Sequence, residues 1–82
     1  MKKIIYGENK NLIHESLREI RMKNGLTQGQ LSAKMQTMNI NIDQQMISKI
    51  ENNMRIVTDY EFACFCRILN VEPNDMLKNF RV

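Results

Sequence analysis

Residues 26–53, LTQGQLSAKMQTMNINIDQQMISKIENN, decide how the rest of the chain is read. Thr27-Gln28-Gly29-Gln30 has the form of a capping box, in which the threonine hydroxyl accepts from the Gln30 amide and the Gln30 side chain reaches back. A short helix therefore starts here and runs through Leu31, Ser32, Met35 and Met38, with Asn39 as its stop. Gly29 in its first turn costs helix stability and suggests that this side is exposed. Asp43 is a strong N-cap for a second short helix, and Ile42 before it can pack on Ile47 as a hydrophobic staple. Ile47 and Ile50 face inward with Met46 beside them, while Gln44, Gln45, Ser48, Lys49 and Asn52 fall on the outward side. Asn52-Asn53 ends this helix, since Asn is second only to Gly in a left-handed C-cap. Polar side chains gathered at the start of a short amphipathic helix suit the reading of base edges in a DNA major groove.

Upstream, Asn11 is the expected N-cap of a helix over residues 12–24. Its apolar stripe is Ile13, Leu17 and Ile20, with Arg21 at the edge and Gly25 as the stop. His14 stands alone beside the stripe, a surface or boundary residue rather than a ligand or catalyst. Residues 1–10 form an N-terminal arm in which Ile4, Ile5 and Tyr6 are either a short extended piece against the core or a frayed end. A basic arm touching phosphate through Lys2 and Lys3 is the less favoured use of it. Downstream, Thr58-Asp59-Tyr60-Glu61 is a second capping box, opening a helix with Phe62, Phe65, Cys66 and Leu69 inward and Asn70 as its stop. Pro73 suits the first position of a last helix over residues 73–79, where Met76 and Leu77, with Phe80 beyond, are apolar. The expectation is an all-α, compact five-helix domain over residues 11–82, without a strand pair, repeat or linker.

Composition narrows the function classes. Eighty-two residues make one domain with a modest core, and seven methionines against five aromatics imply a core of aliphatics and thioethers. Met35, Met38, Met46 and Met76 are read as core or interface filler rather than as a cofactor box. No apolar run approaches the roughly 20 residues of a membrane span, and no signal-peptide core follows Met1, so a cytoplasmic, membrane-free protein is expected. Cys64 and Cys66, with one His in the chain, cannot assemble a Cys/His zinc site, and a disulfide between them would be strained; both are read as reduced packing residues. No nucleophile–base set, paired carboxylates or glycine-rich phosphate loop is present, so neither catalysis nor a cofactor is expected. The net charge of +3 comes from the first 26 residues, because positive and negative side chains balance from Thr27 onward. Affinity for DNA would then rest on backbone amides, polar side chains and a few cations.

The order Arg21, Gly25-Leu26-Thr27-Gln28, Leu31, Ile47-Ser48-Lys49-Ile50-Glu51-Asn52, Thr58, Leu69-Asn70-Val71 resembles the Cro/lambda-repressor-like helix-turn-helix family, also called the xenobiotic response element family. The resemblance covers about residues 11–78. It implies that Gln28 contacts a DNA phosphate, that Gln44 and Gln45 with Asp43 form the reading edge of a recognition helix over residues 43–53, and that Lys49, with Ser48 on the same face, points at base or phosphate. It implies further that Asn52 and Arg55 lie where the backbone is gripped, and that Arg21 and Glu51 form a buried ion pair tying the first helix to the third. Three departures stand out. The connection from Met35 to Ile47 is longer than the common form, which calls for an extended second helix or a bulkier turn. Asn53 replaces the usual Gly, and Ile56 and Val57 follow Arg55 where some relatives carry cations.

Two functions are expected from this pattern. The first is a transcriptional regulator, in repressor mode, that binds a short palindromic double-stranded DNA operator as a homodimer. The second is a helix-turn-helix antitoxin or anti-repressor whose main ligand is a protein partner. Met76, Leu77, Phe80 and Val82 are the candidates for a dimer surface, or else simply close the core.

Overall fold

Three of the helices begin where a side chain takes up an amide that the helix itself leaves free. Thr27 Oγ1 accepts from the Gln30 amide at 3.0 Å while Gln30 Oε1 accepts from the Thr27 amide at 2.8 Å. Asp43 Oδ1 accepts from the Met46 amide at 2.8 Å. Thr58 and Glu61 repeat the reciprocal pair at 3.3 and 3.0 Å. The computed structural model describes residues 7–79 and has five helices in order: α1 His14–Lys23, α2 Gln28–Thr37, α3 Gln44–Glu51, α4 Asp59–Leu69 and α5 Pro73–Met76. The stops are equally local. Gly25, Asn39, Asn53 and Asn70 take positive φ of 72°, 62°, 59° and 57° after the first four helices. Asn thus does at three ends what Gly does at one.

The start of α1 departs from expectation. Asn11 is not its N-cap; Ile13 occupies that position and makes no side-chain cap. The Asn11 amide is buried instead, and its Nδ2 donates to the carbonyl oxygens of Ile50 at 3.0 Å and Arg55 at 2.9 Å. The Ile50 carbonyl, which also accepts from the Asn53 amide, thereby gains a second donor and the Arg55 carbonyl a first, and these buried and half-buried bonds outweigh a helix cap exposed to water. The last helix is also shorter than expected. It ends at Met76, and a turn carries the chain to Asn79, whose Nδ2 donates to the fully buried Ser16 hydroxyl at 3.1 Å.

The long connection between α2 and α3 is a turn and not an extension of the helix. Asn39 reverses the chain, the Ile40 amide closes on the Met35 carbonyl at 3.1 Å, and Gln36 Nε2 donates to the Ile42 carbonyl at 3.2 Å. Ile42 is fully buried and Ile40 packs at the core's edge, so the apolar pair in this segment nails it down.

α2 packs on α3 and α4, and α1 closes over α3, α4 and α5. Leu17, Leu31, Met35, Ile42, Ile47, Ile50, Phe65 and Met76 are inaccessible at the centre. Met76 therefore closes the core rather than offering a dimer surface, Leu77 is half-buried against it, and Phe80 and Val82 lie outside the described residues. The expectations for Lys2, Lys3, Ile4, Ile5 and Tyr6 also fall outside them. Met38 and Met46 are half-buried. Both cysteines are free; burial above all, with the carboxylates of Glu72 and Asp75, pushes the Cys66 thiol up and disfavours the reactive thiolate. Among the described residues no helix is long and apolar enough to cross a membrane, and no group of His, Cys, Asp and Glu gathers into a metal site.

Candidate nucleic-acid interface

Helix α3 divides sharply between two environments. Its inner face puts Ile47 and Ile50 at zero exposure, and Ile42 closes the staple from the preceding turn. Its outer face presents Gln44, Gln45 and Lys49 to solvent, with Ser48 half-buried between them. Asp43 is exposed, but one carboxylate oxygen is committed to the Met46 amide, so it fixes the helix start. Asn52 folds back, its Nδ2 donating at 2.9 Å to the Ser48 carbonyl that already accepts from its own backbone amide.

Gln44 has a second feature that corrects the reading of Gly29. That glycine is half-buried rather than turned out to water. A Cβ placed there would stand 3.3 Å from Gln44 Oε1, a tight approach. The missing side chain thus leaves room for Gln44 to lie against the first turn of α2. The two helix starts are brought together in this way, although they are sixteen positions apart in sequence.

Arg21 and Glu51 pair as the resemblance implies. Arg21 Nε donates to Glu51 Oε2 at 2.7 Å and Nη2 to Oε1 at 3.1 Å, and the side chains are 10% and 3% exposed. Nη1 donates to the Leu26 carbonyl at 2.7 Å, pinning the corner between α1 and α2. Gln28 joins this network, its Nε2 donating to Glu51 Oε1 at 3.0 Å. The expected phosphate-binding amide is therefore held by the ion pair in this structure.

Arg55 is held as well. Its Nη1 and Nη2 meet the two Glu61 oxygens at 2.9 and 3.0 Å, and Nη1 also donates to the Ile56 carbonyl at 2.9 Å. Sequence reading gave Glu61 only its capping role, and this partnership six residues away was missed. Burial pushes the Glu61 carboxyl up, but the Arg55 hydrogen bonds, the Thr58 amide and the Arg55 charge outweigh it, and the net effect is downward. The same bonds raise the Arg55 guanidinium. The folded chain therefore binds this proton less readily than the unfolded one. The pair's contribution is complete above the ordinary carboxyl value of 4.5 and is lost as pH falls through the lower folded value. Glu61→Gln is expected to lower stability at neutral pH and to flatten the acid limb of a stability–pH curve below about pH 5. Parallel acid limbs for parent and variant would remove Glu61 from that account.

Two more residues at this interface were read from the sequence only as a helix cap and a helix stop. Asn11 and Asn53 tie residues 8–11 to the end of α3, and their partners lie about 40 positions away. The only signal was Asn where Gly is common at position 53.

Gln44, Gln45 and Lys49 thus share one exposed face with the start of α2 beside them, whereas Gln28, Asn52 and Arg55 have intramolecular partners. Neither a curated protein nor a solved structure matches the chain. A model of the helix-turn-helix family does match, over residues 17–76, which takes in most of α1 and all of α2 to α5. With two short helices packed corner to corner and a polar face carried outward on the second, the chain belongs to the helix-turn-helix family of DNA-binding domains.

Proposed function

We propose that this protein is a sequence-specific transcriptional regulator, acting as a repressor by occupying a short palindromic operator as a homodimer. In this reading α3 of each protomer enters the major groove, and the two half-sites lie one helical turn, about 34 Å, apart. The observation that carries it is the outer face of α3: Gln44, Gln45 and Lys49 exposed on a helix whose other face is locked in the core. Gln can bond adenine through two atoms at once, and Lys can donate to guanine or to phosphate. A site of this kind must be rigid before it can discriminate, and the Asp43 cap, the Ile42 staple and the Arg21–Glu51 pair supply that rigidity.

Selection from random duplex DNA tests this directly. The expected result is enrichment of a short site with two-fold symmetry. The double substitution Gln44→Ala/Gln45→Ala should keep the fold and lose about 1–3 kcal/mol of discrimination for each bidentate contact removed. A variant that ranks operators as the parent does would refute direct readout by these side chains.

The second reading, an antitoxin or anti-repressor bound mainly to a protein, draws support from the occupied Arg55 and from Met54 and Tyr60, which stand 60% and 58% exposed near the end of α3 and the start of α4. A selection that enriches no site would shift the weight to it.

A further inference from the structure

Helix α3 has eight residues and is about 12 Å long at 1.5 Å per residue, close to the width of a B-DNA major groove, about 12 Å. If its first turn reaches base edges, its last turn and the residues just past it stand at the rim, beside the phosphates. The chain offers little charge there from its own loop. Arg55 is clamped by Glu61, and Met54, Ile56 and Val57 are apolar.

Asn53 changes what is present at that rim. In the left-handed position just beyond α3, it accepts from the Lys10 amide at 2.8 Å and the Asn11 amide at 3.5 Å through Oδ1. Its Nδ2 donates to the Glu8 carbonyl at 3.2 Å and to Asn9 Oδ1 at 3.4 Å. A single side chain thus grips four consecutive residues of the N-terminal segment. From the other side Asn11 donates to the Ile50 and Arg55 carbonyls, completing a reciprocal clasp. Lys10, exposed and fixed at its backbone, is carried beside the 54–55 loop; among the described residues no carboxylate pairs with it. Glu8, also exposed, bears the opposite charge, so the segment is not basic as a whole and the inference concerns Lys10 alone.

We infer that Lys10 is a DNA-phosphate contact, delivered to the rim of the groove by the Asn53–Asn11 clasp and taking the place of the cation that Arg55 cannot freely supply. Asn at position 53 then has a purpose beyond ending the helix, for which Gly would serve. The inference rests on the proposed DNA-binding function and adds to it a residue outside α2 and α3.

Binding is measured against salt for the full chain, on a duplex recovered by the selection above and on a scrambled duplex of equal length. Lys10→Gln is expected to lower the slope of log affinity against log salt by about 0.9, so that the parent's advantage shrinks about 3.5-fold between 50 and 200 mM. The loss should be equal on both duplexes, with the thermal midpoint unchanged, and Lys10→Arg should keep the parental slope. Asn53→Gly, which keeps the left-handed stop and deletes the half of the clasp that holds the Lys10 amide, should show the same loss, and the double variant should lose no more than either. A parental slope for Lys10→Gln overturns the inference alone. Full binding by Asn53→Gly beside a weakened Lys10→Gln overturns the role of the clasp. A parent that binds neither duplex overturns this inference together with the DNA-binding reading.

Discussion

Arg21→Ala is expected to destabilise the fold by about 3–5 kcal/mol, the range found when one partner of a buried ion pair is removed. The reason lies in what remains. Glu51 is 3% exposed, and without Arg21 its carboxylate keeps one neutral donor, Gln28 Nε2, for a full negative charge. The Leu26 carbonyl loses its donor in the same step. A domain of this size has only some 4–12 kcal/mol in total, so the variant should sit near the edge of folding. Urea unfolding followed by circular dichroism measures the loss directly. A second variant separates broken pairing from lost packing. Arg21→Met with Glu51→Leu removes both charges and should recover much of the loss, because a buried pair is often no more stabilising than apolar residues of similar volume. A single-variant loss below about 1 kcal/mol would mean that water or a rearranged side chain satisfies Glu51.

Ile42→Ala should cost about 2–5 kcal/mol although it lies outside every helix. Ile42 is fully buried, and its partner Ile47 is equally inaccessible at the base of α3. Truncation leaves a cavity under the start of α3 and loosens the Gln36–Ile42 bond that holds the turn. The effect on binding should therefore exceed what stability alone predicts, since Gln44 and Gln45 follow at once. Ile42→Val is the control, with an expected cost of about 0.5–1.5 kcal/mol and near-parental binding. Equal stability of the Ala variant and the parent would mean that the turn is not anchored by this residue.

These outcomes trace which parts of the molecule the sequence discloses. The capping boxes at Thr27 and Thr58 were legible because donor and acceptor lie within four residues, where the backbone alone sets the geometry. The stops at Asn39, Asn53 and Asn70 were legible for the same reason. Asn11 was misread because a short polar residue before a helix has an obvious local use, and nothing nearby reveals two carbonyls some 40 residues downstream. Gly29 was misread in the same way: helix propensity explains a glycine by its cost, but does not reveal the Gln44 side chain whose tip lies 3.3 Å from where a Cβ would stand. For the site, the outward face of α3 followed from periodicity, and the Arg21–Glu51 pair came from the family resemblance. The engagement of Gln28 and Arg55 depends on side-chain partners that periodicity does not specify.

The bond between Gln28 and Glu51 bears on the entropy of association. A glutamine amide carries two N–H groups, and Glu51 takes one of them. The other is left in an orientation already fixed by folding, on a side chain that in solution would sample many rotamers. Immobilising such a side chain on binding ordinarily costs about 0.5–1.5 kcal/mol. If α2 meets phosphate through Gln28, that ordering took place when the domain folded. The interior ion pair would then act on the ligand at one remove, by sparing the complex a loss of freedom rather than by adding attraction.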